Sequence, residues 1–147
     1  KNYKLINPNQ YLIFLGDIID RGPYSIELLL IAFKLKLINV NNVFIINGNH
    51  EDEWVYEYPR NVFRISGLGK EINREITELL EYNPGLLNIK DNIINILNLL
   101  PSCIFIHGIF ESPSFNDQWV QLCHGGIDID SIHKLKNRIR ITNLNKQ

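Results

Sequence analysis

YLIFLGDIIDRG, Tyr11–Gly22, passes from an uncharged apolar run, Tyr11 to Gly16, straight into Asp17, Asp20 and Arg21. The run reads as a short buried strand ended by Gly16. Carboxylates at the end of such a strand are costly to desolvate unless a cation or a hydrogen-bond network compensates them. Something positive is therefore expected at that rim.

Working outward, Pro23 and Ser25 give helix-start signals, and Ile26, Leu29, Leu30, Phe33 and Leu37 recur at helical spacing through Ile38. Leu28, Ile31 and Ala32 make the opposite side apolar as well, so this helix is expected to be covered on most faces. Asn39 to Asn42 reads as a turn and Val43 to Ile46 as the next strand. A strand, helix, strand crossover is right-handed and its strands are parallel, so both following loops open on one edge. Gly16–Gly22 then lies beside Gly48–Glu51, at the carboxyl ends where sheets of this kind bind ligands.

Residues 52 to 66 are polar and aromatic and read as a loop with one helical turn. Leu68, Ile72, Ile76, Leu79 and Leu80 form an apolar stripe over 68 to 82, with Lys70, Glu71, Arg74, Glu75 and Glu78 turned to water. Asn83, Pro84 and Gly85 stop that helix, and a further one is expected over Leu86 to Leu100. Ser102 to His107 and Trp119 to Cys123 read as neighbouring strands of a second sheet. The tail from Ser131 is basic and weakly patterned; Lys134, Lys136, Arg138 and Arg140 alternate there with apolar residues.

The chain has 147 residues, 45% hydrophobic and 21% charged, which suits one globular domain with a continuous core. A net charge of -1 gives no general field to gather nucleic acid or an anionic membrane. Cys103 and Cys123 make no disulfide framework and read as buried free thiols in a reducing compartment. The longest uncharged apolar run, Leu28 to Phe33, is far short of the roughly 18 residues a membrane span needs. A soluble, cytoplasmic protein is expected. Methionine is absent, and residues 1–147 read as a single, incomplete domain from a longer chain.

Three strings stand out: GDIIDRG (Gly16–Gly22), NGNHE (Asn47–Glu51) and HGG (His124–Gly126). Each follows a strand-like run and joins oxygen or imidazole donors to glycine, which lets the backbone turn tightly. Asp17, Asn49 and His124 are suitable ligands for a divalent metal, and no thiolate is placed to make a structural zinc site. In this order the strings resemble the phosphoprotein phosphatase family of serine/threonine phosphatases, within the calcineurin-like metallophosphoesterases. The resemblance covers nearly all of residues 8 to 130.

It implies an α/β fold, a central two-sheet β sandwich flanked by helices, of which this chain holds the first sheet and part of the second. It implies two divalent metal ions, manganese with iron or zinc as alternatives, with Asp17 bridging them and Asn49 and His124 on the second. His50 would be the general acid, held by Asp20 from behind, and Arg21 would clamp phosphate, with Arg21, Asn49 and His50 contacting substrate. The activity implied is dephosphorylation of phosphoserine or phosphothreonine in a phosphoprotein by hydroxide that the metal pair activates. Regulatory subunits are compatible with it, whereas nucleic acid and membrane are not expected as partners.

The pattern also departs from that family. No Asp or His precedes Asp17, so a first GDxHG motif is missing, and nothing after Gly126 resembles the family's last histidine ligand. Asn47 stands where the protein phosphatases carry Arg. Two alternatives follow: a dinucleoside polyphosphate hydrolase with the same motifs, or a non-catalytic remnant. His107 matches no ligand motif and reads as structural or superficial, and His133 as solvated. Trp54, Tyr56 and Tyr58 read as a satellite core rather than a substrate groove.

Overall fold

The computed structural model describes residues 3–5, 7, 9–52, 56–57, 62–108 and 118–126. Strand β1, Leu12–Phe14, runs parallel to β2, Val43–Ile45, with Leu12 opposite Val43 and Phe14 opposite Ile45. Helix α1, Ser25–Ile38, makes the crossover. Both strands are shorter than their apolar runs because the flanking backbone is used elsewhere. Gly16 turns at φ 88°, and the Asn47 N–H leaves the ladder to donate to the Pro101 carbonyl at 3.0 Å.

Helix α1 buries Ser25, Leu29 and Ala32. Leu28, Leu30, Ile31, Leu37 and Ile38 are exposed among the described residues, which corrects the expectation that most faces are covered. A helix apolar all round can lay only one stripe on the structure beneath it. At its far end Asn39 closes the helix, donating from its side-chain amide to the Leu35 and Tyr3 carbonyls.

Where one helical turn was expected, β3, Tyr56–Glu57, pairs antiparallel with β4, Val62–Phe63. Tyr56 and Phe63 sit opposite each other and both are buried. Tyr56 is a core residue, as expected, but it belongs to the main core cluster rather than to a satellite, and its hydroxyl donates to Asn98 Oδ1; Trp54 and Tyr58 lie outside the described residues.

Helix α2, Lys70–Tyr82, turns Ile72 and Ile76 inward. A 3₁₀ turn over Pro84–Leu86 separates it from α3, Ile89–Leu97, which buries Ile93, Ile94 and Leu97. Helix α3 is thus shorter than the expected Leu86–Leu100: the 3₁₀ turn takes up Leu86, and beyond Leu97 the chain closes in tighter turns, with the Leu99 and Leu100 N–H groups donating to the Ile96 and Leu97 carbonyls. The buried apolar side chains of α2 and α3 join Ile19, Leu29, Tyr56 and Phe63 in one core cluster; each full burial of such a side chain contributes about 1.5–3 kcal/mol. Ile19 belongs to the loop after β1, so the core itself grips that loop.

Strands β5, Cys103–Gly108, and β6, Gln118–Cys123, are neighbours as expected, and they pair antiparallel with Cys103 opposite Cys123. Both thiols are free, but half-buried rather than buried. The described strands make three two-stranded sheets. No helix among the described residues is long and apolar enough to cross a membrane.

Candidate metallophosphoesterase site

The loop after β1 is built on Glu51. Its carboxylate is 1% exposed and gathers four backbone N–H groups: Asp17 and Gly48 donate to Oε2 at 2.7 Å each, Ile18 and Ile19 to Oε1 at 2.7 and 3.0 Å. Four donors replace the water a buried carboxylate loses. They also hold an unusual backbone, since Asp17, Asp20 and Arg21 take φ values of 52°, 65° and 58°. For residues with a Cβ this left-handed region costs about 1–2 kcal/mol each, and it persists only where surrounding contacts impose it.

Glycine is required where the two loops touch. A methyl group on Gly16 would collide with the Gly48 amide, and one on Gly48 would collide with the Asp17 carboxylate and amide. The two motifs that the crossover was expected to bring together are therefore in direct backbone contact.

Asp17 Oδ1 accepts the His50 backbone N–H at 3.2 Å. Its Oδ2 lies 3.3 Å from His124 Nε2, and His124 Nε2 lies 3.1 Å from Asn49 Oδ1. Asp17, Asn49 and His124 thus share one crevice, although they come from three separate strand ends. The other ring nitrogen of His124, Nδ1, is 2.8 Å from the Leu15 carbonyl. A carbonyl only accepts, so Nδ1 carries the proton.

That assignment leaves the Nε2 lone pair of a neutral His124 facing two oxygens. Turning the Asn49 amide round would relieve one contact and leave the Asp17 carboxylate facing the lone pair. A proton on Nε2 or a metal cation at the junction resolves both, and a histidine tied through Nδ1 to a backbone carbonyl is arranged as metal-ligating histidines are. The three residues fit part of the coordination of one divalent ion. They do not furnish two ions: among the described residues no group of three or more His, Cys, Asp or Glu side chains is assembled as a metal site, and the third donor here is an amide.

His50 is buried, with Nδ1 3.1 Å from Asp20 Oδ2. The Asp20 carboxylate also accepts the N–H groups of Gly69 at 2.5 Å and Ile72 at 3.3 Å, which open helix α2. An ionised carboxylate is an acceptor only, so His50 Nδ1–H donates. Nε2 is then left buried with no hydrogen-bond partner among the described residues, turned toward Asp17 Oδ2 at 3.9 Å. Arg21 is exposed beside this group.

Sequence alone assigns Glu51 no task beyond closing its motif; by periodicity Glu75 belongs to the polar, water-facing side of its helix. It is in fact 8% exposed, because it sits next to Ile76 and meets the start of α1, whose Ser25 and Ile26 N–H groups donate to it at 3.0 Å each. His107 lies apart, its ring stacked on Trp119 at 4.5 Å and 17°, in keeping with a structural role.

Residues 1–146 match the family model described as calcineurin-like phosphoesterase. The chain belongs to the calcineurin-like phosphoesterase family, whose members use dimetal centres. It is 31% identical over 129 residues to serine/threonine-protein phosphatase PP2A-like PPG1 of Candida albicans, covering 85% of this chain and 30% of that protein. It is 32% identical over 76 residues to serine/threonine-protein phosphatase T of Saccharomyces cerevisiae, covering 44% of this chain and 15% of that one. The chain thus spans less than a third of these relatives. No solved structure matches it significantly.

Proposed function

We propose that this chain carries part of a metal-dependent phosphomonoesterase site acting on phosphoserine or phosphothreonine in proteins. The observation that carries the reading is the junction of Asp17, Asn49 and His124, where His124 Nε2 faces two oxygens because Nδ1 is committed to Leu15. Asp17, Asn49 and His124 would hold one divalent ion, manganese in the first instance, and Asp17 would be shared with a second. Bound metal supplies charge neutralisation for the phosphoryl oxygens and acidifies water.

The remaining work falls to this chain's own side chains. Arg21 is free to reach over the rim, and its planar fork would bind two phosphate oxygens at once. His50 would yield a proton from Nε2 to the leaving alkoxide, a contribution of about 100- to 10,000-fold. Asp20 holds the imidazole in that orientation through Nδ1. Asn49 and His50 would border the phosphate. The pairs β1–β2 and β5–β6 are read as portions of the two sheets of a sandwich, and residues 1–147 as one incomplete domain.

The test is manganese-dependent release of phosphate from a phosphoserine peptide by the full chain, with Asp17→Asn and His50→Ala as controls. Turnover abolished by both substitutions is expected; absence of turnover, with no manganese bound in calorimetry, would leave the non-catalytic reading in its place. Offering a diadenosine polyphosphate in competition separates the protein substrate from the nucleotide one.

A further inference from the structure

Glu75 is a buried carboxylate that the reaction above does not use. It accepts the Ser25 and Ile26 N–H groups at the start of α1, where Tyr24 provides no side-chain cap. Ser25, itself 2% exposed, uses its Oγ to accept the Asp20 N–H at 3.1 Å. Asp20 in turn takes the N–H groups of Gly69 and Ile72, which open the helix that carries Glu75. The contacts close a ring: α2 caps α1 through Glu75, α1 fixes Asp20 through Ser25, and Asp20 caps α2.

We infer that Glu75 is a positioning residue for His50, acting through Ser25 and Asp20. Asp20 sits at φ 65°, a backbone state that relaxes unless contacts hold it. Its carboxylate is shared between the α2 terminus and His50 Nδ1, so the aim of the imidazole depends on where α1 begins relative to α2. Glu75 sets that relation by binding two adjacent N–H groups, one to each oxygen. The His50 Nε2 edge makes the imidazole sensitive to this aim, since it has no hydrogen-bond partner among the described residues and Asp17 Oδ2, at 3.9 Å, is beyond hydrogen-bond reach. The inference rests on the proposed general-acid role of His50 for its kinetic consequence only, because the ring of contacts can be measured without turnover.

Two measurements on the full chain decide it, using Glu75→Gln, which keeps shape and removes one acceptor, and Ser25→Ala, which keeps the Glu75 cap and removes the Oγ. In amide hydrogen exchange, Glu75→Gln is expected to raise exchange at Ser25 and Ile26 and also at Asp20, with Leu79 and Leu80 unchanged; Ser25→Ala should raise it at Asp20. Change confined to Ser25 and Ile26 would reduce Glu75 to a local cap and overturn the inference, as would uniform loosening of α2. In turnover with manganese, both variants should lose about 10- to 100-fold in kcat on an alkyl phosphate, whose leaving group needs a proton. They should lose less than about 3-fold on p-nitrophenyl phosphate, which leaves without one. Equal losses on both substrates would also overturn it. A wild-type chain with no turnover would count against the proposed function, while the exchange pattern would still decide Glu75.

Discussion

The Glu51 carboxylate meets the Asp17 amide at 2.7 Å, across 34 positions of sequence, and so the loop that presents one candidate ligand is tied to the motif that presents another. Asp17 is held through its backbone, which leaves both carboxylate oxygens directed at His50 and His124. Structural and chemical duties are divided between Glu51 and Asp17.

Glu51→Gln should expose the strain in that loop. An amide in place of the carboxylate turns one acceptor into a donor facing N–H groups, at a cost of about 2–4 kcal/mol. Urea denaturation should show a lower midpoint with an unchanged slope.

Gly48→Ala is expected to be worse tolerated than a substitution of the same size at Gly22, where a Cβ meets nothing within 4 Å. At Gly48 the added methyl displaces Asp17, so both stability and manganese affinity should fall, whereas Gly22→Ala should leave affinity within about 2-fold, well below the roughly 1.4 kcal/mol that a tenfold change represents. Parallel thermal melts and manganese titrations provide the comparison.

Manganese binding should require the junction. His124→Ala and Asp17→Asn are each expected to weaken binding by at least about 10-fold, as loss of a ligand or its orienting partner does. His107→Ala, remote and stacked on Trp119, should leave it unchanged. Equal affinity in all three by calorimetry would dismiss the junction as a metal site.

Burial pushes the Cys103 thiol up from its ordinary value, with the facing Cys123 adding to the shift. The folded thiol holds its proton longer than the unfolded one, so its stabilising contribution is complete below the unfolded pKa and is lost as pH rises through the folded one. Alkylation by iodoacetamide should therefore be slower at Cys103 in the folded chain than in urea at mildly alkaline pH. The gap should narrow as pH increases, a course that mass spectrometry of the labelled peptides would follow.

The β1, α1, β2 unit was legible because its periods are long and its punctuation is local: an apolar run, a Pro and Ser start, a glycine at each loop. The pairing of residues 56–57 with 62–63 was not, since two residues cannot display a period of two. Glu75 was lost to a rule that is usually sound, that charged positions opposite an apolar stripe face water. What overrides the rule is the uncapped start of α1, 49 to 50 positions away in sequence, and no window along the chain contains both. Of the site, Asp17, Asn49, His50 and His124 were readable from their motifs, while the supports behind them, Glu51 and Ser25, act through backbone groups that carry no sequence signature.

One property of the site follows from the nature of the group that orients His124. Its acceptor is the main-chain oxygen of Leu15, which every amino acid possesses, while the side chain at that position projects largely into solvent, at 47% exposure. Leu15 can accordingly drift through many identities without disturbing the tautomer of a ring more than a hundred positions away. The imidazole is insured against point mutation at its anchor, and vulnerable only to events that move the strand end itself.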